Sequence, residues 1–281
     1  MKDPIIYESK NGYKVVIPRV SEARAILNSV SIEDMGSWKT DIGWTTRDLK
    51  IYLQAMLFTG LRFRDLLRIR QHPELYRSDG TITISRSEIG GGKKKVRIRS
   101  YDVYLSEVGR KIFDEQFFSV NLPDSKFLKD GDVTINAKVD AILDKAAEKL
   151  GFPLITQKVT MNRKVLDENG LPMIQDGEAV RRTVIEEYRT HGIKVGSWRK
   201  AWDSWLVNGF SQIQDATVLI MIEKSMGHSI AIAREHYLTL KYDLDDIEDI
   251  KKVINGYGTR TRNFTFKSSE QPETETTAKE G

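Results

Sequence analysis

Residues 197–206 have the sequence SWRKAWDSWL, and this stretch gives the clearest indication of the fold. Its apolar side chains recur at intervals of three and four residues, the spacing of one helix face: Trp198, Ala201, Trp202, Trp205 and Leu206. Ser197 has the short oxygen-bearing side chain that is common at helix N-caps. The stretch therefore predicts a helix that Ser197 caps and that buries one face.

The same helical periodicity recurs on both sides of this stretch. It predicts helices over about residues 21–28 (capped by Ser21), 45–59, 62–69, 106–118, 137–150, 178–190, 215–225, 229–238 and 244–254. Short β-branched runs predict strands at residues 13–17, 81–85, 96–98 and 103–105, and an Asn169-Gly170 turn indicates a further hairpin over residues 152–177. The expected fold class is mainly α with a small antiparallel β-sheet, that is, α+β.

We expect four segments along the chain. Residues 1–17 form an N-terminal arm, and residues 18–242 form the main domain. Residues 243–258 form a C-terminal helix with an apolar stripe at Leu244, Ile247, Ile250 and Ile254. Residues 259–281 are rich in Ser, Thr, Glu and Lys, a composition typical of disordered tails.

Composition restricts the classes of function that the chain can have. The 281 residues include no cysteine, which excludes disulfides, thiolate metal sites and cysteine nucleophiles. No apolar run approaches the roughly 20 residues that span a bilayer, and the first residues carry no apolar signal-peptide core. We therefore expect a cytoplasmic protein without membrane contact. The formal net charge of +4 permits nucleic-acid binding without requiring it.

Positive charge is concentrated in two segments. Residues 86–99 hold six basic residues and one acidic residue around a Gly90-Gly91-Gly92 turn, and residues 62–70 hold four basic residues and one acidic residue. A glycine turn rich in lysine suits close approach to a phosphate backbone. A solvated surface hairpin can have the same composition, so charge alone favours neither interpretation.

Three further segments resemble the motifs of one enzyme family. Thr59–Leu67, with the sequence TGLRFRDLL, is similar to the first arginine box of tyrosine recombinases, in which a helix-breaking glycine precedes the arginine. Residues 197–202, SWRKAW, occupy the place of the second arginine box. Residues 226–229, MGHS, followed by Tyr237, are similar to the Gly-His box and the nucleophile. The resemblance covers residues 18 to 240, with the motifs in the family's order.

The resemblance implies that residues 18–242 are the catalytic domain of an enzyme for site-specific DNA recombination. Tyr237 is then the nucleophile, which forms a 3′-phosphotyrosyl bond to DNA. The other catalytic residues that it implies are Arg62, Arg199, His228 and Lys93. Asp65 is implied as an orienting residue. Contacts to DNA are implied for Lys94, Lys95, Arg97 and Arg64.

The resemblance also implies the partners of the chain. The family requires no metal and no cofactor, because the phosphotyrosyl bond conserves the energy of the phosphodiester. It implies double-stranded DNA of a nucleoid, virus or plasmid as the partner, and a homo-oligomer, from dimer to tetramer, on that DNA. The helix at residues 243–258 is then expected either to dock on a neighbouring copy or to fold back on its own domain.

The sequence departs from the family pattern at two positions. The second box normally opens with His or Lys three residues before its arginine, and here that position is Gly196. Lys194 and Lys200 are the neighbours that could replace the missing group. The family's hairpin lysine aligns with Glu88 or Gly91, so Lys93 is assigned to this role, with Lys94 and Lys95 left as alternatives.

These departures leave two alternative functions open. One is a relative that binds DNA but has lost catalysis, and the other is a monomeric enzyme that relaxes DNA like a type IB topoisomerase. Tyr242 and Tyr257 are the fallback nucleophiles, although neither has the family's spacing from His228.

Overall fold

The structure is a computed structural model that describes residues 2–9, 12–36, 43–85, 100–121, 132–175, 178–211, 216–226 and 229–258. Within these ranges the helices are α1 (Val20–Ser29), α2 (Thr46–Thr59), α3 (Phe63–Gln71), α4 (Glu107–Glu115), α5 (Asp132–Lys149), α6 (Val195–Gly209), α7 (Ala216–Met226), α8 (Ile230–Tyr237) and α9 (Leu244–Ile254). The strands are β1 (Ile5–Glu8), β2 (Lys14–Ile17), β3 (Thr81–Ser85), β4 (Ser100–Tyr104), β5 (Ile155–Lys164), β6 (Ile174–Gln175), β7 (Glu178–Ala179) and β8 (Arg181–Thr190).

About 53% of the described residues are helical, and small antiparallel sheets accompany them, which confirms the α+β class. The described strands form separate two-stranded pairs, β1 with β2, β3 with β4, β5 with β8 and β6 with β7, so the expectation of one small sheet is corrected. No described helix combines the length and the apolar character needed to cross a membrane.

Helix α6 lies at the centre of the core, because its tryptophan face is fully buried. The Trp198 indole N–H donates a 2.8 Å hydrogen bond to the Leu53 carbonyl oxygen of α2. The rings of Trp202 and Phe58 meet edge to face with their centroids 5.7 Å apart. The buried face that the tryptophan spacing predicted is therefore confirmed, and α2 is the surface that it packs against.

Two predicted caps are wrong by a few residues. Helix α6 begins at Val195, after Lys194. Ser197 lies inside the first turn, and its hydroxyl oxygen accepts a 2.7 Å hydrogen bond from the Lys194 backbone N–H. Helix α1 begins after Arg19 rather than at Ser21, because a Glu22 carboxylate oxygen accepts the Arg19 backbone N–H at 2.8 Å. In both helices the capping group lies three residues into the helix.

The helix predicted over residues 178–190 is also wrong. Strand β8 pairs with β5 over ten residues, from Ile155 opposite Thr190 to Lys164 opposite Arg181. The run Thr183-Val184-Ile185 is β-branched and favours a strand, and its charged neighbours imitate the polar face of a helix. The predicted turn is confirmed at the tip, where Gly170 has a φ of 77°.

The N-terminal strands pack into the same core as the helices, with Val15, Val16 and Ile17 buried. The Val16 N–H donates a 3.0 Å hydrogen bond to the carbonyl oxygen of Gly192, which links β2 to the segment before α6. Gly192 has a φ of 73°, and a Cβ there would lie 2.7 Å from Ile155 Cδ1. This junction therefore requires glycine.

Helix α9 packs on α6 and α1 of its own chain, with Ile250, Val253 and Ile254 buried. Leu244, which the predicted stripe included, is 87% exposed. In this first turn of α9 the inward-facing residue is Asp246 instead, which forms a buried 3.0 Å ion pair with Arg19. Docking of α9 on a neighbouring copy stays a prediction, and the tail at 259–281 lies outside the described residues.

Candidate functional site

The first segment of the candidate site is the turn between α2 and α3. Helix α2 ends at Gly60, which has a left-handed φ of 64°. Arg62 directly precedes α3, and its side chain is exposed. An Asp65 carboxylate oxygen accepts the Arg62 backbone N–H at 3.3 Å. Asp65 therefore contacts the backbone of Arg62, and its role as an orienting residue of the site stays a prediction.

Helix α6 brings the second arginine to the same turn. The Arg199 Nε–H donates a hydrogen bond to the Gly60 carbonyl oxygen. Arg62 follows Gly60 by two residues, so their Cα atoms are at most about 7 Å apart. The two predicted arginines therefore belong to one local region, although 136 residues of chain separate Arg62 from Arg199.

Tyr237 is the last residue of α8 and is only 4% exposed. Its ring packs with the buried side chains of Val207 and Ala233. The Asn208 side-chain amide donates a 3.0 Å hydrogen bond to the Tyr237 carbonyl oxygen, which ties the end of α8 to α6. On the outer side the ring of Tyr7 from β1 lies 6.1 Å from the Tyr237 ring, centroid to centroid.

The surroundings of Tyr237 hold its phenol in the protonated form. Burial raises the pKa of the Tyr237 phenol far above its usual range, and the Asp203 carboxylate raises it further. Arg199 acts in the opposite direction, because its positive charge favours the phenolate. The nucleophile predicted from the sequence is therefore close enough to Arg199 to sense its charge, but is covered in the free chain.

The structure separates the two lysines that could replace the group missing at Gly196. The Lys200 Nζ lies 4.1 Å from the centroid of the Tyr7 ring and 5.8 Å from that of the Tyr237 ring. Lys194 instead donates a 3.2 Å hydrogen bond to the Tyr188 hydroxyl of β8. Gly196 is exposed, and a Cβ there would meet no atom within 4 Å. Lys200 is therefore the lysine beside Tyr237.

Asp203 is a charged residue of this region that the motif comparison missed. A Cβ on Gly60 would lie 3.4 Å from the Asp203 Oδ1 atom, so the carboxylate faces the turn before Arg62. It also raises the pKa of Lys200, against the larger lowering by burial. Its spacing of four residues from Arg199 on one helix could have identified it, since such residues share a face.

The fallback nucleophiles have structural hydrogen bonds. The Tyr242 hydroxyl lies 2.6 Å from the Ser204 hydroxyl oxygen, and the Tyr257 hydroxyl donates to Ser225 Oγ at 2.8 Å. Burial raises the pKa of both phenols. Each of these tyrosines therefore joins helix α6 or α7 to the C-terminal part of the chain.

Several predicted site residues lie outside the described part of the chain: His228, Lys93, Lys94, Lys95 and Arg97. Their roles stay predictions. Arg64 is described, and its side chain is exposed on α3. The described residues include no cluster of His, Cys, Asp or Glu that could hold a metal ion.

No protein-family model, no curated protein and no solved structure matches this chain. The residues and their geometry are therefore the support for any function that is assigned to it.

Proposed function

We propose that the chain is a tyrosine recombinase that cuts and rejoins duplex DNA through a phosphotyrosyl intermediate at Tyr237. The observation that carries the proposal is the approach of three distant segments to one another. Arg199 bonds to the turn that precedes Arg62, and the next residue of the same helix, Lys200, has its Nζ 5.8 Å from the centroid of the Tyr237 ring. Two guanidinium groups and a phenol are the groups needed to attack a phosphodiester and to stabilise its charge.

The proposed cleavage forms one bond and breaks one bond. The Tyr237 oxygen attacks phosphorus while the bond from phosphorus to the 5′-oxygen breaks, which leaves a 3′-phosphotyrosyl strand and a free 5′-hydroxyl. Arg62 and Arg199 hydrogen-bond to the non-bridging oxygens, where negative charge develops. Lys93 gives its proton to the departing 5′-oxygen, and His228 takes the phenol proton. Attack by a 5′-hydroxyl from a partner duplex reverses these steps and completes the exchange.

The buried phenol adds a requirement to this mechanism. A tyrosine whose pKa is raised by burial is a poor nucleophile in the free chain. DNA binding therefore has to expose Tyr237 and bring it to the scissile phosphate, where Arg199 favours the ionised phenol. Such control restricts cleavage to the DNA complex, which the proposal places in a dimer to tetramer on nucleoid, viral or plasmid DNA.

Covalent trapping tests the proposal. A duplex with a nick close to the scissile phosphate loses its short 5′-hydroxyl fragment after cleavage, so the protein remains attached to DNA. We expect an adduct from the wild type and none from Tyr237→Phe. Tyr242→Phe is the matched control, because it also removes a buried phenol from the neighbourhood. An adduct that persists in Tyr237→Phe, or a complete absence of adduct on DNA that the chain binds, would refute the proposal.

A relative that binds DNA without cutting it is the second candidate. The observation in its favour is the low exposure of Tyr237 together with the bare position at Gly196. This candidate predicts duplex binding without an adduct. A topoisomerase-like enzyme is distinguished by products, since it relaxes supercoiled DNA without transferring strands between two duplexes.

A further inference from the structure

Lys200 has an environment that is unusual for a lysine. Its side chain is half-buried on α6, and within the described part of the chain its ammonium has neither a hydrogen bond nor an ion pair. Its nearest neighbours are the faces of the Tyr7 and Tyr237 rings. Aromatic faces attract a cation, but they are much weaker acceptors of its hydrogen bonds than the water molecules that they displace. The ammonium is therefore held partly out of water, and no carboxylate of the described residues lies within ion-pair distance of it.

The charged and titratable groups around Lys200 come from three elements. Arg199 and Asp203 lie on α6 itself, Tyr7 lies on β1, and Tyr237 lies on α8. The His236 ring of α8 meets the Tyr7 ring edge to face, 5.9 Å between centroids. Burial lowers the pKa of Lys200, Asp203 opposes this effect and Arg199 adds to it. Two adjacent cations beside one phenol are a suitable site for a phosphodiester.

We propose that Lys200 is a phosphate-binding residue of the Tyr237 site and makes the contact that Gly196 cannot make. The inference rests on the proposed function for the identity of the phosphate, which is the scissile phosphodiester of DNA. Lys194 is not assigned this role, because its ammonium lies beside the Tyr188 hydroxyl of β8 and not beside Tyr237. The oxygens of a bound phosphate would accept the hydrogen bonds that the ammonium no longer makes to water. The phosphate would also lie within reach of the Tyr237 oxygen.

The first experiment compares Lys200→Met, Lys200→Arg and the matched control Lys194→Met in the nicked-duplex trap. Each Met variant removes one ammonium that rests on tyrosine rings. We expect Lys200→Met to slow adduct formation by about 100-fold, which is the scale of a lost charged contact in a transition state. We expect Lys194→Met to change the rate by less than about threefold, and Lys200→Arg to recover most of the loss.

The pH profile separates a contact to phosphate from a structural role. In the wild type the rate of trapping should fall at alkaline pH as Lys200 and the general acid Lys93 lose their protons, because a neutral Lys200 amine no longer attracts the phosphate. Lys200→Arg should keep only the part of this fall that is due to Lys93, since a guanidinium stays protonated. Wild-type trapping rates in Lys200→Met, or an unchanged alkaline fall in Lys200→Arg, would overturn the inference.

A second measurement does not depend on DNA cleavage. Acylation of each lysine is followed by peptide mass spectrometry with and without inorganic phosphate. We expect phosphate to slow the acylation of Lys200 and to leave that of Lys194 unchanged. If the wild type forms no adduct but phosphate protects Lys200, the proposed function fails and the anion site stands. If the adduct forms and Lys200 is not protected, the inference about Lys200 is wrong.

Discussion

Arg199 combines two tasks that a lysine could not perform together. Its Nε–H is already used by the Gly60 carbonyl oxygen, which leaves the terminal nitrogens of the guanidinium for a phosphate. A planar group with five N–H donors can serve both partners, whereas an ammonium is a compact point charge. The residue therefore positions the turn before Arg62 as well as providing charge.

Because the N–H groups of Arg199 serve two partners, we expect a large effect even from a substitution that conserves the charge of this residue. Arg199→Lys should slow covalent trapping by about 100-fold and leave duplex binding within about tenfold, because the net charge is unchanged while the paired donors are lost. Arg24→Lys, a like change at an exposed position of α1, is the control and should have little effect on either measurement. Trapping at the wild-type rate in Arg199→Lys would show that Arg199 does not contact the reacting phosphate.

Tyr52 has a buried hydroxyl without a hydrogen-bond partner in the described part of the chain. Its ring packs against Trp44 and Phe117, with centroid distances of 4.3 Å and 5.2 Å. Tyr52→Phe should therefore stabilise the protein by about 1 kcal/mol, because it removes an unsatisfied polar atom. Tyr257→Phe removes a bonded hydroxyl and should destabilise it by a similar amount. Urea denaturation at neutral pH measures both changes, and a destabilised Tyr52→Phe would contradict the expectation.

The pH dependence of stability provides a second check on Tyr52. Burial raises the pKa of the Tyr52 phenol, so its folded-state pKa lies above the unfolded value of about 10. Above that pH the unfolded chain releases a proton that the folded chain retains, and the free energy of unfolding falls as pH rises. Tyr52→Phe should therefore show a shallower loss of stability above about pH 10 than the wild type.

At the scale of elements, α6 has a glycine near each end, and the two glycines differ in the space around them. Gly196 lies in the first turn with open space around it, whereas Gly209 lies at the last turn against α9. A Cβ at Gly209 would overlap the Ile254 Cδ1 atom and lie 3.0 Å from Ile250 Cγ2. Glycine at position 209 thus permits α9 to approach α6 closely.

The paired substitutions follow from this difference. Gly196→Ala should stabilise the protein by about 0.5 kcal/mol, because alanine loses less backbone entropy in a helix. Gly209→Ala should destabilise it by about 1 to 3 kcal/mol, because the packed face of α9 has to move. Thermal denaturation of the two variants measures the difference. Equal effects at both positions would mean that α9 does not pack on α6 in this way.

Helix prediction succeeded where the partners of an element are local. Helix α2 begins after the side-chain cap at Thr45 and ends before the left-handed Gly60, and both signals lie within a few residues of the helix ends. The prediction failed at residues 178–190 because β8 is a strand that pairs with β5. The two residues that face each other at the base of this hairpin, Ile155 and Thr190, lie far apart in the sequence. Periodicity alone does not encode such a partner.

At the scale of the molecule, the hairpin of β5 and β8 projects from the body of the protein. Ten paired residues extend for roughly 30 Å. Its outer part is open to solvent, with Ile174 and Ile185 at 62% and 70% exposure. Its base is anchored, since the buried Gln157 side-chain oxygen accepts the Lys14 N–H at 2.9 Å. The hairpin base and its outer part therefore contribute very differently to stability.

Excision of the outer hairpin tests this division. Replacing residues 161–184 with a two-residue turn should change Tm by no more than about 3 °C, because little apolar surface of the core is uncovered. Gln157→Ala should destabilise the protein by about 1 to 3 kcal/mol, because it leaves the half-buried Lys14 N–H without its partner. A hairpin deletion that unfolds the helical part would contradict the separation of base and tip.

The amino-acid sequence by itself determined the positions of most helices, the buried tryptophan face of α6 and the choice of Arg62, Arg199 and Tyr237 as candidates, because these depend on periodicity and motif order within short stretches. The tertiary structure decided the pairing of β8 with β5, the cover of Tyr7 over Tyr237, and the location of Lys200 rather than Lys194 beside that phenol. These features depend on contacts between segments that are far apart in the chain, and no local spacing specifies which distant surface a side chain will meet.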